Sequence, residues 1–185
     1  MGSICLFLGS PRREGNSETL SKALVKPALE RGWEVREFRL FSMNIGDCVD
    51  CRRCWTTGKP CILDDDMQQI YPAVKESEYL IFASPLYWYA WSAPIQALRD
   101  RLLPYVAQNT PLRLEGKKGI LVASGGDTGK DAFDGMIFSF KRSCALHKMP
   151  TPLIFCRGGL GEAQDAQKDA ALLEEARQEG EALFS

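Results

Sequence analysis

A chain of 185 residues, 45% hydrophobic and 25% charged, suits one domain with an ordinary core and needs no second. Its formal net charge of −1 argues against nucleic acid as the main partner, because binding a phosphate backbone takes a marked basic excess. No apolar run approaches the roughly 20 residues of a membrane span, and the N-terminal one is too short for a signal peptide, so the expectation is a cytoplasmic chain without a membrane partner, whose seven cysteines act as thiols, metal ligands or redox groups.

Ile4 to Leu8 carries no charge and is bounded by Gly9, the pattern of a central parallel strand covered on both faces. A helix is expected from Ser17 or Glu18, with apolar positions at Leu20, Ala23, Leu24 and Ala28. Between strand and helix lie Ser10, Arg12, Arg13, Asn16, Ser17 and Thr19, with Gly15 to allow a tight turn. Unpaired N–H groups of a first helical turn and the helix dipole favour an anion there, so the stretch reads as a phosphate cradle. The plainer alternative is a capped turn with Asn16 or Ser17 as N-cap.

Glu34 to Phe41 alternates as a half-buried edge strand does. Ser42 to Leu63 follows neither period and includes a cysteine-rich excursion at 44–63, after which Asp64-Asp-Asp66 caps a helix running toward Lys75. Tyr79 to Ala83 is a buried strand ending in Ser84-Pro85, followed by an aromatic loop and a helix from about Ala93 to Tyr105. Lys118 to Ala123 is a strand ending in Ser124-Gly125-Gly126, and a helix spans roughly Ala132 to His147. Leu153 to Cys156 is the last strand and Ala163 to Leu183 the last helix. This alternation predicts a single domain over 1–185 of α/β class, a three-layer doubly wound fold with a five-stranded parallel sheet in the order 2-1-3-4-5. In that order ligands bind beyond the carboxyl ends of strands 1, 3 and 4, where the loops with unusual chemistry stand.

The second of those loops holds Tyr87, Trp88, Tyr89 and Trp91, enough ring area to cover a flat heterocycle or to form a subunit contact. In the third, Gly125 and Gly126 allow backbone to approach a ring system, and Asp127 and Thr128 offer hydrogen bonds to it. The first loop lacks G-x-G-x-x-G, and Gly125 to Lys130 lacks the ends of a P-loop, which argues against a dinucleotide fold or an NTPase. A receiver-type signalling module is excluded, since Gly9-Ser10 and Ser84-Pro85 stand where it needs acidic residues.

Gly9-Ser-Pro-Arg-Arg-Glu-Gly-Asn-Ser17 resembles the phosphate loop of the flavodoxin-like FMN reductases, close to G-S-P-R-x-G-S/G-N-S/T. Ser84 to Arg101 is similar, without a gap, to the ring-binding loop and helix of the NADPH-dependent FMN reductase family, close to S-P-V-Y-F-x-x-x-x-x-x-L-K-x-x-x-D-R, with Pro85, Tyr87, Asp100 and Arg101 matching. Tyr89 departs from a small residue and Gln96 from lysine; the bulk at Tyr89 sets nicotinamide access in question. The resemblance implies bound FMN, its phosphate near Ser10, Arg12, Asn16, Ser17 and Thr19 and its ring near Pro85, Leu86, Tyr87, Trp88, Ser124, Gly125, Gly126 and Asp127. It also implies NAD(P)H as a co-substrate and a homodimer or homotetramer in which a neighbour closes the pocket, with Trp88 to Trp91 as a contact.

Cys48-x2-Cys51-x2-Cys54-x6-Cys61 places three cysteines at spacings that wrap a cubane corner and a fourth that closes it. With Asp64-Asp-Asp-Met67 it resembles the iron-sulfur flavoprotein branch of the same group, which implies a [4Fe-4S] cluster on those four residues. An unmetallated thiol loop, zinc and a redox disulfide stay open at this stage. Cys5, Cys144 and Cys156 read as buried small residues, and His147 as a dipole contact at a helix end. The expected function is an FMN flavoprotein oxidoreductase passing electrons between cluster and flavin, with a protein carrier such as ferredoxin or a small molecule as donor and acceptor. The alternatives are a cluster-free NAD(P)H-dependent FMN or quinone reductase and a passive flavin-binding protein. No side chain is singled out as catalytic, because the flavin carries the chemistry.

Overall fold

A computed structural model describes residues 2–107 and 110–185. The elements follow the expected alternation: β1 (Ser3–Leu8), α1 (Asn16–Glu30), β2 (Glu34–Arg39), α2 (Met67–Glu76), β3 (Tyr79–Pro85), α3 (Ala93–Asp100), β4 (Lys118–Ser124), α4 (Asp134–Leu146), β5 (Leu153–Arg157), α5 (Asp165–Lys168) and α6 (Ala170–Leu183). The strands form one parallel sheet in the order β2-β1-β3-β4-β5, a flavodoxin-like three-layer fold. No helix among the described residues is long and apolar enough to cross a membrane.

Successive residues of a strand point to opposite faces, and the uncharged strands supply two cores at once. Cys5, Phe7, Leu80, Phe82, Leu121 and Ala123 meet α2, α3 and α4 on one face. Ile4, Leu6, Leu8, Ile81, Ala83, Ile120, Val122 and Phe155 meet α1, α5 and α6 on the other. The register aligns Leu8 with Ala83 and Pro85 with Ser124, so the loops after β1, β3 and β4 leave the sheet at one end.

Three local expectations are corrected. The helix from Ala93 stops at Asp100, and Leu103–Val106 forms a separate 3-10 turn, since Pro104 has no N–H to give to the Asp100 carbonyl. The final helix is broken at Asp169, whose carboxylate accepts the Leu172 N–H at 2.9 Å and caps α6 instead of continuing α5. The edge strand ends at Arg39, because Leu40–Ser42 turns Leu40 into the core and leaves Phe41 exposed. His147 stands at the C-terminus of α4, as expected, with Nδ1 buried and unpartnered among the described residues, and burial pulls its pKa down.

Candidate functional site

The first loop is held from below. Gly9 donates its N–H to the Ala83 carbonyl at 2.9 Å, and a Cβ there would collide with Ile95 of α3, so only glycine lets the loop and α3 approach this closely. Ser10 Oγ accepts the Arg12 N–H at 3.1 Å, and Gly15 is the N-cap of α1 with no side-chain cap. The first-turn N–H groups of α1 therefore carry no cap from Asn16 or Ser17, contrary to the capped-turn reading.

Glu18 lies buried beneath this loop. It accepts the Glu14 N–H at 3.0 Å, two bonds from Arg39 at 2.9 and 2.5 Å, and the ammonium of Lys22 at 2.8 Å. Burial pushes its pKa up, but the bonds from Arg39 and Lys22 outweigh that and bring it down to about 2. The carboxylate thus holds Glu14 in a left-handed conformation, φ 55°.

Ser10, Arg12, Gly15, Asn16, Ser17, Pro85, Leu86, Tyr87, Ser124, Gly125 and Gly126 line one cavity of about 180 Å³ at the carboxyl end of the sheet. Eleven residues from three loops far apart in sequence converge there. Thr19, Trp88 and Asp127 do not line it: Thr19 gives its hydroxyl to the Glu14 carbonyl, Trp88 is 95% exposed, and Asp127 binds Tyr89. A fourth loop, after β5, adds Leu160, Gly161 and Ala163, which sequence reasoning missed although Gly158-Gly-Leu-Gly161 follows the last strand at the same sheet end.

Asn16 fastens that fourth loop. Its amide donates to the Leu160 and Glu162 carbonyls at 3.2 and 2.9 Å, and its oxygen accepts the Ala166 N–H at 3.0 Å. The side chain is thus spent on protein partners, which leaves the backbone of Asn16 as its contribution to an anion. The expected role of Gly125 also changes, since a Cβ there would come within 2.9 Å of Leu86 Cβ: its bareness brings loops two and three together.

The aromatic loop is a two-residue hairpin. Tyr87 and Ala90 exchange N–H···O bonds at 3.1 and 3.0 Å, with Trp88 and Tyr89 at φ 50° and 60°. Tyr89 Oη donates to Asp127 Oδ2 at 3.1 Å, and Asp127 Oδ1 accepts the Gly129 N–H at 2.7 Å. The Gly129 N–H and then the Tyr89 hydroxyl hold Asp127 below the usual carboxylate range, while the hydrogen bond to Asp127 and then its charge push the Tyr89 phenol up. Trp91, expected in this lid, is only 8% exposed and packs against Phe82 and Phe140.

The cysteine excursion hangs from a buried ion pair. Arg101 donates to both oxygens of Asp65 at 2.5 and 3.0 Å and to the Gly46 carbonyl at 2.6 Å. Asp65 also accepts the Gly46 and Met67 N–H groups, so of the three aspartates it is the one bonded to the first N–H of α2. Cys48, Cys51, Cys54 and Cys61 all line one small apolar cavity of about 30 Å³ with Leu63, Tyr71, Leu103 and Pro104. Burial first, then the charges of Cys61, Cys48 and Cys51, push the Cys54 thiol up. All seven cysteines are free. Among the described residues no three His, Cys, Asp or Glu side chains gather closely enough to hold a metal ion.

Known proteins resemble this chain in sequence or in fold. An iron-sulfur flavoprotein of Archaeoglobus fulgidus is 36% identical over 113 residues, 61% of this chain and 50% of the relative, so the chain spans about half the length of that curated relative. An NAD(P)H:quinone oxidoreductase from Methanothermobacter marburgensis superposes with a TM-score of 0.73 at 18% identity, covering 99% of this chain and 96% of that one. An FMN-dependent NADH-azoreductase from Bacillus anthracis, solved in complex with FMN, gives 0.72 at 12% identity with all of both chains covered. Those two likenesses establish the fold. The sequence model for NADPH-dependent FMN reductases matches residues 3–153, and the chain belongs to the NADPH-dependent FMN reductase family.

Proposed function

We propose that the protein is an FMN-dependent oxidoreductase whose four-cysteine excursion carries a [4Fe-4S] cluster. The observation that carries the flavin half is the convergence of three loops on one cavity beside the open first turn of α1. Backbone N–H groups of Asn16 and Ser17, the Ser10 hydroxyl and the Arg12 guanidinium would hold the phosphate, matching a dianion to partial and full positive charge. Pro85 to Tyr87 and Ser124 to Gly126 would flank the ring. When bound, FMN supplies hydride and single-electron chemistry, and the chain orients it and keeps water from its edge.

The cluster half rests on four free thiols lining one apolar cavity, at spacings that resemble the iron-sulfur flavoprotein motif, and on a relative of that name 36% identical over 113 residues. Its space of about 30 Å³ is smaller than a cubane, so loading must spread the loop, and the exposed Val49 and Cys51 mark where it can open. That tightness favours a second reading, a cluster-free NAD(P)H-dependent reductase with a packed thiol loop. Protein prepared without oxygen, read by visible absorption and by iron and sulfide assay, separates the two. Flavin bands with about four irons per chain support the cluster. Flavin without iron leaves the second reading, and no flavin on titration with FMN overturns both.

A further inference from the structure

We infer that the cavity between α3 and α4 is a second ligand site, and that it takes a small aromatic monocarboxylate whose anion pairs with Arg99. At about 360 Å³ it has twice the space of the cavity at the carboxyl end of the sheet, and the two share no lining residue. That volume falls within the roughly 300–1,000 Å³ of small-molecule sites. Phe82, Leu102, Leu114, Phe140 and Met149 give it buried apolar walls suited to a ring. Cys48, Asp100 and Leu103 line both this cavity and the thiol cavity, so a ligand here shares a wall with the cysteine excursion.

Apolar walls alone would accept any ring; Arg99 narrows the choice. Its half-buried guanidinium lines the cavity and lies over Trp91, with Cζ 4.5 Å from the ring centroid. Nη1 donates to Gln96 Oε1 at 2.9 Å, and Nη2 to Ser139 Oγ at 2.7 Å and Ser143 Oγ at 2.8 Å. All three partners are neutral. The other arginines that are not exposed, Arg36, Arg39, Arg101, Arg157 and Arg177, each meet a carboxylate, and among the described residues Arg99 is the exception. Burial pulls its pKa down, as it does for a cation short of counter-charge. A ligand carboxylate supplies that charge, whereas a neutral ring such as a quinone leaves the guanidinium as it is. Asp100 also lines the cavity, with Oδ1 accepting Gln96 Nε2 at 2.7 Å, and its charge opposes a dianion such as phosphate. His147, on the same lining, has Nδ1 buried without a hydrogen bond among the described residues, a cost that a ligand oxygen would remove.

Cinnamate and its neutral counterpart cinnamamide are the probes, titrated by calorimetry into protein saturated with FMN so that the flavin cavity is filled. Failure of FMN to bind bears on the flavin reading alone, and the titration is then run on the protein as purified. Cinnamate is expected to bind once per chain and about tenfold more tightly than the amide, the margin of a charge-assisted pair. Arg99→Gln should erase that margin. Because Arg99 also ties α3 to α4, Leu146→Glu provides a second test at a lining position that is 69% exposed, where the fold is not at stake. It should weaken cinnamate about threefold or more and leave cinnamamide unchanged. Equal affinity for the two probes, or cinnamate binding that Leu146→Glu does not alter, overturns the proposal. So does the absence of binding by either probe up to about 1 mM; if Leu146→Glu then splits an oligomer in sedimentation, the cavity belongs to a second copy of the chain.

Discussion

The loop after β1 and the cysteine excursion are both irregular segments on the same fold, yet they are secured in opposite ways. The loop at Gly9 to Ser17 is fixed along its length: by Gly9 to the sheet, by Glu18 to Glu14, and by Asn16 to the chain beyond β5. The excursion is fixed at its root, through Arg101, Asp65 and Gly46, while its body holds Asp50 and Arg52 in left-handed conformations and joins them in an exposed salt bridge. Arg52 also lies over Trp55 at 4.6 Å. The first is secured throughout its course, whereas the second is tied down at one end.

The strongest way to break this contrast is to cut the root. Arg101→Met leaves Asp65 buried without its cation, which costs about 3–5 kcal/mol. Urea unfolding should show that loss and limited proteolysis should cut within 46–64, while Asp65→Leu in the same chain should recover much of the stability. An excursion still resistant to protease in Arg101→Met would put the two segments on one footing.

Next is the carboxylate under the phosphate loop. Glu18→Gln should cost about 2–3 kcal/mol, since charge-assisted bonds from Arg39 and Lys22 are weakened. The native pKa of about 2 lies below the ordinary 4.5, so the unfolded chain takes up this proton first as pH falls. Its contribution is therefore full above about 4.5 and is lost between there and about 2. Unfolding curves of the two proteins should converge across that window; a constant gap down to its acid end would remove Glu18 from this role.

How much of this was legible in sequence follows from the range of each interaction. The strand runs and the Gly9 to Ser17 pattern are local, and they gave the sheet order and the cavity's first wall. Glu18 and Arg39 pair across 21 residues and Asn16 reaches Leu160 across 144, so no window of sequence holds both partners. Asp65 and Arg101 each sat in a recognised stretch, DDM and DR, but only the fold shows them to be one ion pair. Trp91 misled because composition counts rings without direction: it follows the hairpin that turns Trp88 outward, and its own ring falls beside Phe82 in the core.

Asn16→Ala tests whether the preformed site depends on the stitch to its fourth wall. Three bonds disappear, but at a half-buried position, so the expected cost is about 1–2 kcal/mol in thermal unfolding. FMN affinity should fall as well, because Leu160, Gly161 and Ala163 are no longer held against the cavity. Unchanged affinity would mean that the fourth loop is only adjacent to the site.

The smallest effect, and the finest discrimination, comes from two neighbouring arginines. Arg12 and Arg13 are both exposed, and Arg12 alone lines the cavity. If the loop acts as a positioned cradle, Arg12→Ala should weaken FMN binding about tenfold, or 1.4 kcal/mol, with no change in melting temperature. Arg13→Ala should stay within about twofold. Because Arg12 is solvent-exposed, raising salt from about 0.01 M to about 1 M shortens the screening length from about 30 to about 3 Å and should shrink the Arg12→Ala difference. Equal losses from both substitutions would mean that the loop attracts FMN through diffuse charge, and the contrast between a built site and a hung one would then rest on Glu18 and Asn16 alone.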